Sequence, residues 1–127
     1  MAAPTNVRRY EIGARSTDVF GRVLCSTRDQ HFVVDGPVQN GCPGEAVTPG
    51  ELFLAGVAGC GVELVQVFAR EEELPLRSVR VGVAGEMDLD DPVRPDVRVF
   101  NRVRVEFELE GVTPEQGEHL VERFKGR

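Results

Sequence analysis

β-forming residues cluster at positions 10–14, 19–25 and 31–34, and they predict three strands in the first third of the chain. Ser16, Thr17 and Asp18 form a turn between the first two, and Asp35, Gly36 and Pro37 stop the third. Residues 36–49 hold three Gly and three Pro with little periodicity, which reads as a loop. The pattern then changes. Thr48 is a good N-cap, Pro49 suits the first helical position, and Glu51 stands where a capping box places its acid. The helix that follows runs to about Glu73, before Leu74 and Pro75 stop it. Its first half is apolar all round, the mark of a helix buried on every side. Gly56, Gly59 and Gly61 each cost about 1 kcal/mol relative to Ala inside a helix. The close approach of another backbone would explain them, and a second copy of the same helix would supply it.

Beyond Pro75, residues 79–83 alternate with a period of two and predict a half-buried strand. Residues 88–96 are acidic and Pro-containing, a turn or mobile loop. Residues 97–109 alternate again, with Val97, Val99, Val103, Val105, Phe107 and Leu109 on one face, and Asn101 where a bulge would fall. Gly111 ends that strand. Thr113 and Gln116 form a second capping box, opening a helix with Leu120, Val121 and Phe124 on its inner face. Strands, apolar helix, strands and surface helix in that order predict an α+β fold in a single domain over residues 1–127. So short a chain has too little sheet to wrap a helix that is apolar on all sides, which predicts a homodimer.

Composition narrows the function. Apolar residues make up 41% and charged residues 28%, as in globular proteins. The net charge of -6 excludes a general nucleic-acid binder, because an acidic surface repels phosphate. The uncharged apolar run at residues 52–62 is shorter than the ~20 residues that span a bilayer. Residues 1–6 are short and neutral with no apolar stretch behind them, so no secretory signal and no membrane association are expected. Three cysteines, an odd number, fit a reducing cytoplasm better than a disulfide framework.

The candidate chemistry is thiol chemistry. Cys60 lies about three turns into the apolar helix, with Gly59 and Gly61 leaving room around its sulfur. A cysteine in a buried helix is ordinarily a small hydrophobe, and a reactive one needs a nearby cation. Glu63, three residues on, shares its face and disfavours a thiolate unless an Arg bridges the two. Glu51 reads first as a helix cap. Cys42 lies in a Gly/Pro loop mobile enough to bring a second thiol towards Cys60, though loop cysteines are usually incidental; Cys25 reads as packing. His31 and His119 are far apart, no Cys/His pair has metal-ligand spacing, and no phosphate loop or Ser nucleophile motif occurs, so neither metal nor cofactor is expected.

The segment His31-Phe32-Val33-Val34-Asp35-Gly36-Pro37, followed by Thr48-Pro49-Gly50-Glu51-Leu52 and on to Ala58-Gly59-Cys60, resembles the signature of the OsmC/Ohr proteins. Phe68-Ala69-Arg70, Leu74-Pro75-Leu76 and Gly111-Val112-Thr113-Pro114-Glu115 continue the resemblance in order, over residues 10–127. It implies antiparallel strands wrapped around a buried central helix in an intertwined homodimer, with two active sites at the interface. It also implies a peroxidase that reduces organic or lipid hydroperoxides, with Cys60 as the peroxidatic thiol and an Arg–Glu pair that activates it. Arg15 best matches that arginine and Arg22 competes. The glutamate of the best-known peroxidases falls at Gly50 here, whereas Glu51 resembles the OsmC-like branch. The family's resolving cysteine follows the last helix, and this sequence stops short of it at Arg127: either the sequence is truncated or this member lacks that thiol, and in the second case resolution falls to Cys42 or an external thiol reductant. Phe53, Leu54, Val57 and Leu64 would form an apolar substrate pocket. The alternatives are a non-enzymatic dimer that binds a small hydrophobic molecule at its interface, and a purely structural stress protein.

Overall fold

The computed structural model describes residues 6–96 and 98–126. The chain divides into two compact units, Met1–Leu52 and Phe53–Arg127. The first is a three-stranded antiparallel meander of β1 (Gly13–Ser16), β2 (Arg22–Thr27) and β3 (Gln30–Asp35) in that spatial order. Arg15 stands opposite Leu24, and Cys25 opposite Phe32. Residues 10–12, expected to belong to the first strand, lie before it. Residues 19–21 turn into β2 through Gly21, whose φ of 82° suits a residue without a Cβ. A short 3-10 turn at Val38–Asn40 interrupts the Gly/Pro loop.

Helix α1 (Pro49–Glu71) starts at the capping box expected from the sequence. The Thr48 amide and hydroxyl both donate to Glu51 Oε1, at 3.0 and 2.9 Å, and the Glu51 amide returns to Thr48 Oγ1 at 3.4 Å. In the second unit α1 is followed by β4 (Ser78–Glu86), β5 (Arg102–Glu110) and α2 (Pro114–Lys125). β4 and β5 form an antiparallel pair from Ser78 opposite Glu110 to Glu86 opposite Arg102. Side chains alternate in exposure along β4 and along β5 from Val105 onward, as the sequence predicted, whereas Val103 is exposed. Only residues 102–109 of the predicted 97–109 strand are paired: residues 98–101 lie before β5, and Val97 lies outside the described residues.

Val65, Phe68 and Ala69 of α1 and Leu120 of α2 form the buried core of the second unit, with Val79, Phe107, Leu109 and Phe124 packed around them. Phe107 and Phe124 meet edge to face at 5.3 Å. Gly61 faces this sheet, since a Cβ there would come within 3.3 Å of Phe107 and 3.4 Å of Val81. Gly56 and Gly59 face open space. Of the three glycines expected to admit a second backbone, one therefore admits the chain's own sheet. Within one chain α1 is covered along a single side, and its apolar first half is left half-buried or exposed. By length and composition alone its 23 residues could cross a membrane, which corrects the expectation based on the shorter uncharged run. Its second half packs through Val65, Phe68 and Ala69 against β4, β5 and α2.

α2 opens on the second predicted box, Gln116 and Thr113 bonding reciprocally at 2.9 and 3.2 Å. The end of α1 and the turn after it are tied to α2: Glu72, just beyond the helix, accepts from Arg123 at 2.8 Å and contacts His119 at 2.9 Å, while Arg123 also reaches Glu71 and lies over the Phe68 ring. The Arg123 and His119 hydrogen bonds hold the Glu72 carboxyl below its ordinary range.

Candidate functional site

Cys60 is exposed on α1, as are Ala55, Gly56 and Gly59 before it and Glu63 one turn later. The apolar residues Phe53, Leu54 and Val57 precede it on the same helix. Phe53 is 58% exposed and stacks on Phe100 with ring centroids 5.5 Å apart and planes 24° from parallel. Leu54 and Phe100 both lie over Gly85, where a Cβ would come within 3.1 and 2.8 Å of them. Val57 and Leu64 are half-buried, and Leu64 packs against the core cluster. Phe100 was not singled out from the sequence, because it precedes β5 in a segment read as strand. The side chain of Asn101 explains its placement: Nδ2 donates to the Asp91 carbonyl at 2.7 Å, and Oδ1 accepts from the Asp88 amide at 2.8 Å. The Asn101 amide bonds Glu86 O at 2.8 Å, so one residue gathers the 87–101 loop at its base. A groove of about 670 Å³ lies elsewhere, between β5 and α2, lined by Val105, Phe107, Leu109, Val112 and Val121 among others. None of the four predicted pocket residues lines it.

The remaining candidates lie in the first unit. Glu51 is the carboxylate of the α1 cap, and the Thr48 amide and then its hydroxyl hold it below its ordinary range. Arg15 is exposed on β1, and among the described residues no ion pair engages it. Arg22, its competitor, is committed: Nε and Nη2 donate to the two oxygens of Asp35 at 2.8 and 2.9 Å, and Nη2 also reaches Glu45 at 3.2 Å. Cys42 is not loosely placed. Its side chain sits between Gly21 and Gly36, in space that a Cβ on either would occupy.

Asp35 is the residue that sequence reasoning missed. It is fully buried, and besides Arg22 it accepts from the Glu45 and Ala46 amides at 2.9 Å each. The Arg22 hydrogen bonds outweigh burial and hold its carboxyl far below the usual range, while Asp35 raises Arg22 in turn. The Asp35 amide donates to Val47 O at 3.0 Å, and Gly36 N donates to Gly21 O at 2.8 Å. Among the described residues no group of His, Cys, Asp and Glu is arranged to hold a metal ion.

Comparison with known proteins gives a family. The family described as OsmC-like protein matches residues 42–127. An OsmC-like protein from Mycoplasma pneumoniae superposes with a TM-score of 0.79 at 13% identity, over 94% of this chain and 82% of that one. An organic hydroperoxide resistance protein from Elizabethkingia anophelis, solved with thiocyanate bound, gives 0.77 at 15% identity, over 97% and 85%. One from Legionella pneumophila, described as an OsmC organic hydroperoxide resistance protein and predicted redox protein, gives 0.71 at 20% identity, over 96% and 85%. No curated protein matches the sequence. At these identities the superpositions establish the α+β fold, and the match across residues 42–127 establishes more: the chain belongs to the OsmC-like family.

Proposed function

We propose that the chain is a thiol-dependent peroxidase that reduces organic hydroperoxides in the cytoplasm, with Cys60 as its nucleophile. One observation carries the reading: Cys60 is an exposed thiol on the apolar half of α1, the stretch that also bears Phe53, Leu54 and Val57. Family membership and neighbours described as hydroperoxide resistance proteins support it. The Cys60 thiolate attacks the terminal peroxide oxygen, a sulfur–oxygen bond forms, and the O–O bond breaks. The sulfur loses two electrons, and the alkoxide leaves with a proton as an alcohol. The sulfenic acid then condenses with a thiol of an external reductant and releases water. Arg15 is the cation that favours the thiolate, Glu51 is the carboxylate that orients it, and the working unit is a homodimer. Phe53, Leu54, Val57 and Leu64 favour alkyl or lipid peroxides over hydrogen peroxide.

Consumption of tert-butyl hydroperoxide by Cys60→Ser tests this. The variant is expected to lose activity by at least about a hundredfold, and an unchanged rate removes the proposal. The apolar surface around the Phe53–Phe100 stack favours one other reading, a dimer that binds a small hydrophobic molecule without turning it over. A ligand retained in native mass spectrometry, with Cys60 inert to peroxide, would support it.

A further inference from the structure

Asp35 and its neighbour Gly36 gather four pieces of the first unit. Arg22 begins β2, Asp35 itself ends β3, and the Glu45 and Ala46 amides belong to the segment just before the Thr48–Glu51 cap. The Gly36–Gly21 bond joins the fourth piece, the turn between β1 and β2. A buried carboxylate without these donors would be strongly unfavourable, so the segments cannot separate while it stays ionised and buried. Both first-unit residues of the proposed reaction are attached to pieces that Asp35 ties: Arg15 on β1, one turn before β2, and Glu51 at the start of α1.

We propose that Asp35 is a positioning residue, whose buried carboxylate fixes the Arg15 strand and the Glu51 cap through Arg22 and the Glu45 and Ala46 amides. It touches neither substrate nor sulfur. The role rests on the peroxidase reading above, and it adds a residue to which no part of the reaction has been assigned. Removing the negative charge while keeping the shape should leave the fold and loosen the arrangement. The loss then falls on turnover rather than on substrate binding, because misplacement of charged groups is felt most in the transition state.

The test compares Asp35→Asn and Arg22→Lys with the unmutated dimer, or monomer, as it is purified. Two readouts are taken: amide hydrogen exchange at Glu45 and Ala46, and steady-state kinetics with tert-butyl hydroperoxide. In Asp35→Asn the two amides are expected to exchange at least about tenfold faster. kcat is expected to fall about tenfold with KM within twofold of the unmutated value. Arg22→Lys keeps the charge and loses the two-pronged bond, so both effects should be smaller; it carries the test alone should the Asn variant not fold. Faster exchange with unchanged kcat would overturn the positioning role while leaving the peroxidase reading intact. Unchanged exchange at both amides would overturn the tie itself. Should the unmutated protein or Cys60→Ser show that no thiol peroxidase exists, the exchange result still decides whether Asp35 holds the segments.

Discussion

At the scale of single residues, the chain concentrates its electrostatic contrast at one atom group, the Asp35 carboxylate. The sign of its pH effect follows from its hydrogen bonds. Its folded-state value lies below the ordinary 3.8, so the native state binds that proton less readily than the unfolded chain does. The stabilisation is therefore complete above the ordinary carboxylate range and is lost as pH falls through the depressed value. The urea midpoint is expected to be level from neutrality to about pH 5 and to drop below about pH 4. Asp35→Asn should start from a lower midpoint and show a shallower acid limb. Parallel acid limbs would assign the loss to other carboxylates, such as Glu72 and Glu51, which are held low in the same direction. Little of this was legible in the sequence. Asp35 read only as the end of a strand, because its partners stand thirteen residues earlier and ten or eleven later. Cys60 and Glu51, by contrast, were singled out by the residues around them, and Arg15 only by its resemblance to the family's arginine. The capping half of Glu51's reading needed only the three-residue spacing from Thr48.

At the scale of elements, caps and turns were the most readable features, because their chemistry is local. Both capping boxes form as the residues prescribe, and Gly111 ends β5 where expected. Gly111 also shows why that residue must be glycine: its φ is 96°, and a Cβ would meet the Pro75 carbonyl and the Arg77 amide. Arg77 N bonds Glu110 O at 2.8 Å beside it, so the backbone cannot easily yield. Gly111→Ala is expected to destabilise the protein by about 1–3 kcal/mol, read from the urea midpoint, whereas a change within about 0.5 kcal/mol would mean the turn relaxes freely. What misled the reading of residues 97–101 was phase. Val99 continues the alternation of β5 by register, yet the backbone there is spent on the Asn101 bonds rather than on pairing. Periodicity reports a face, and it cannot report where a partner strand stops.

At the scale of the whole molecule, the question is what lies against α1. The sequence called for cover on all sides; one chain supplies it at Gly61, Val65, Phe68 and Ala69. Gly56 and Gly59 look into open space, and Tyr10, Phe20 and Phe53 are among the exposed large apolar groups. So much apolar surface on a chain of this size fits the proposed homodimer. In one chain a larger side chain at residue 59 meets nothing, so Gly59→Glu should leave the fold intact and separate the proposed dimer. Sedimentation is expected to give twice the monomer mass for the unmutated protein and the monomer mass for the variant. A monomeric unmutated protein, or a variant that stays paired, would remove α1 from the interface. The boundary between the two compact units falls within one uninterrupted helix.

The Asn101 knot has a consequence for how this chain can change length. By drawing Asp88 and Asp91 to the mouth of β4 and β5, it meets the entropy of closing that excursion at the neck rather than at the tip. Chain inserted beyond Asp91 then enlarges a ring that is already closed, and each doubling of it costs only about 0.6 kcal/mol. Residues 92–96 are thus where added sequence is expected to leave the register of the hairpin beneath unchanged.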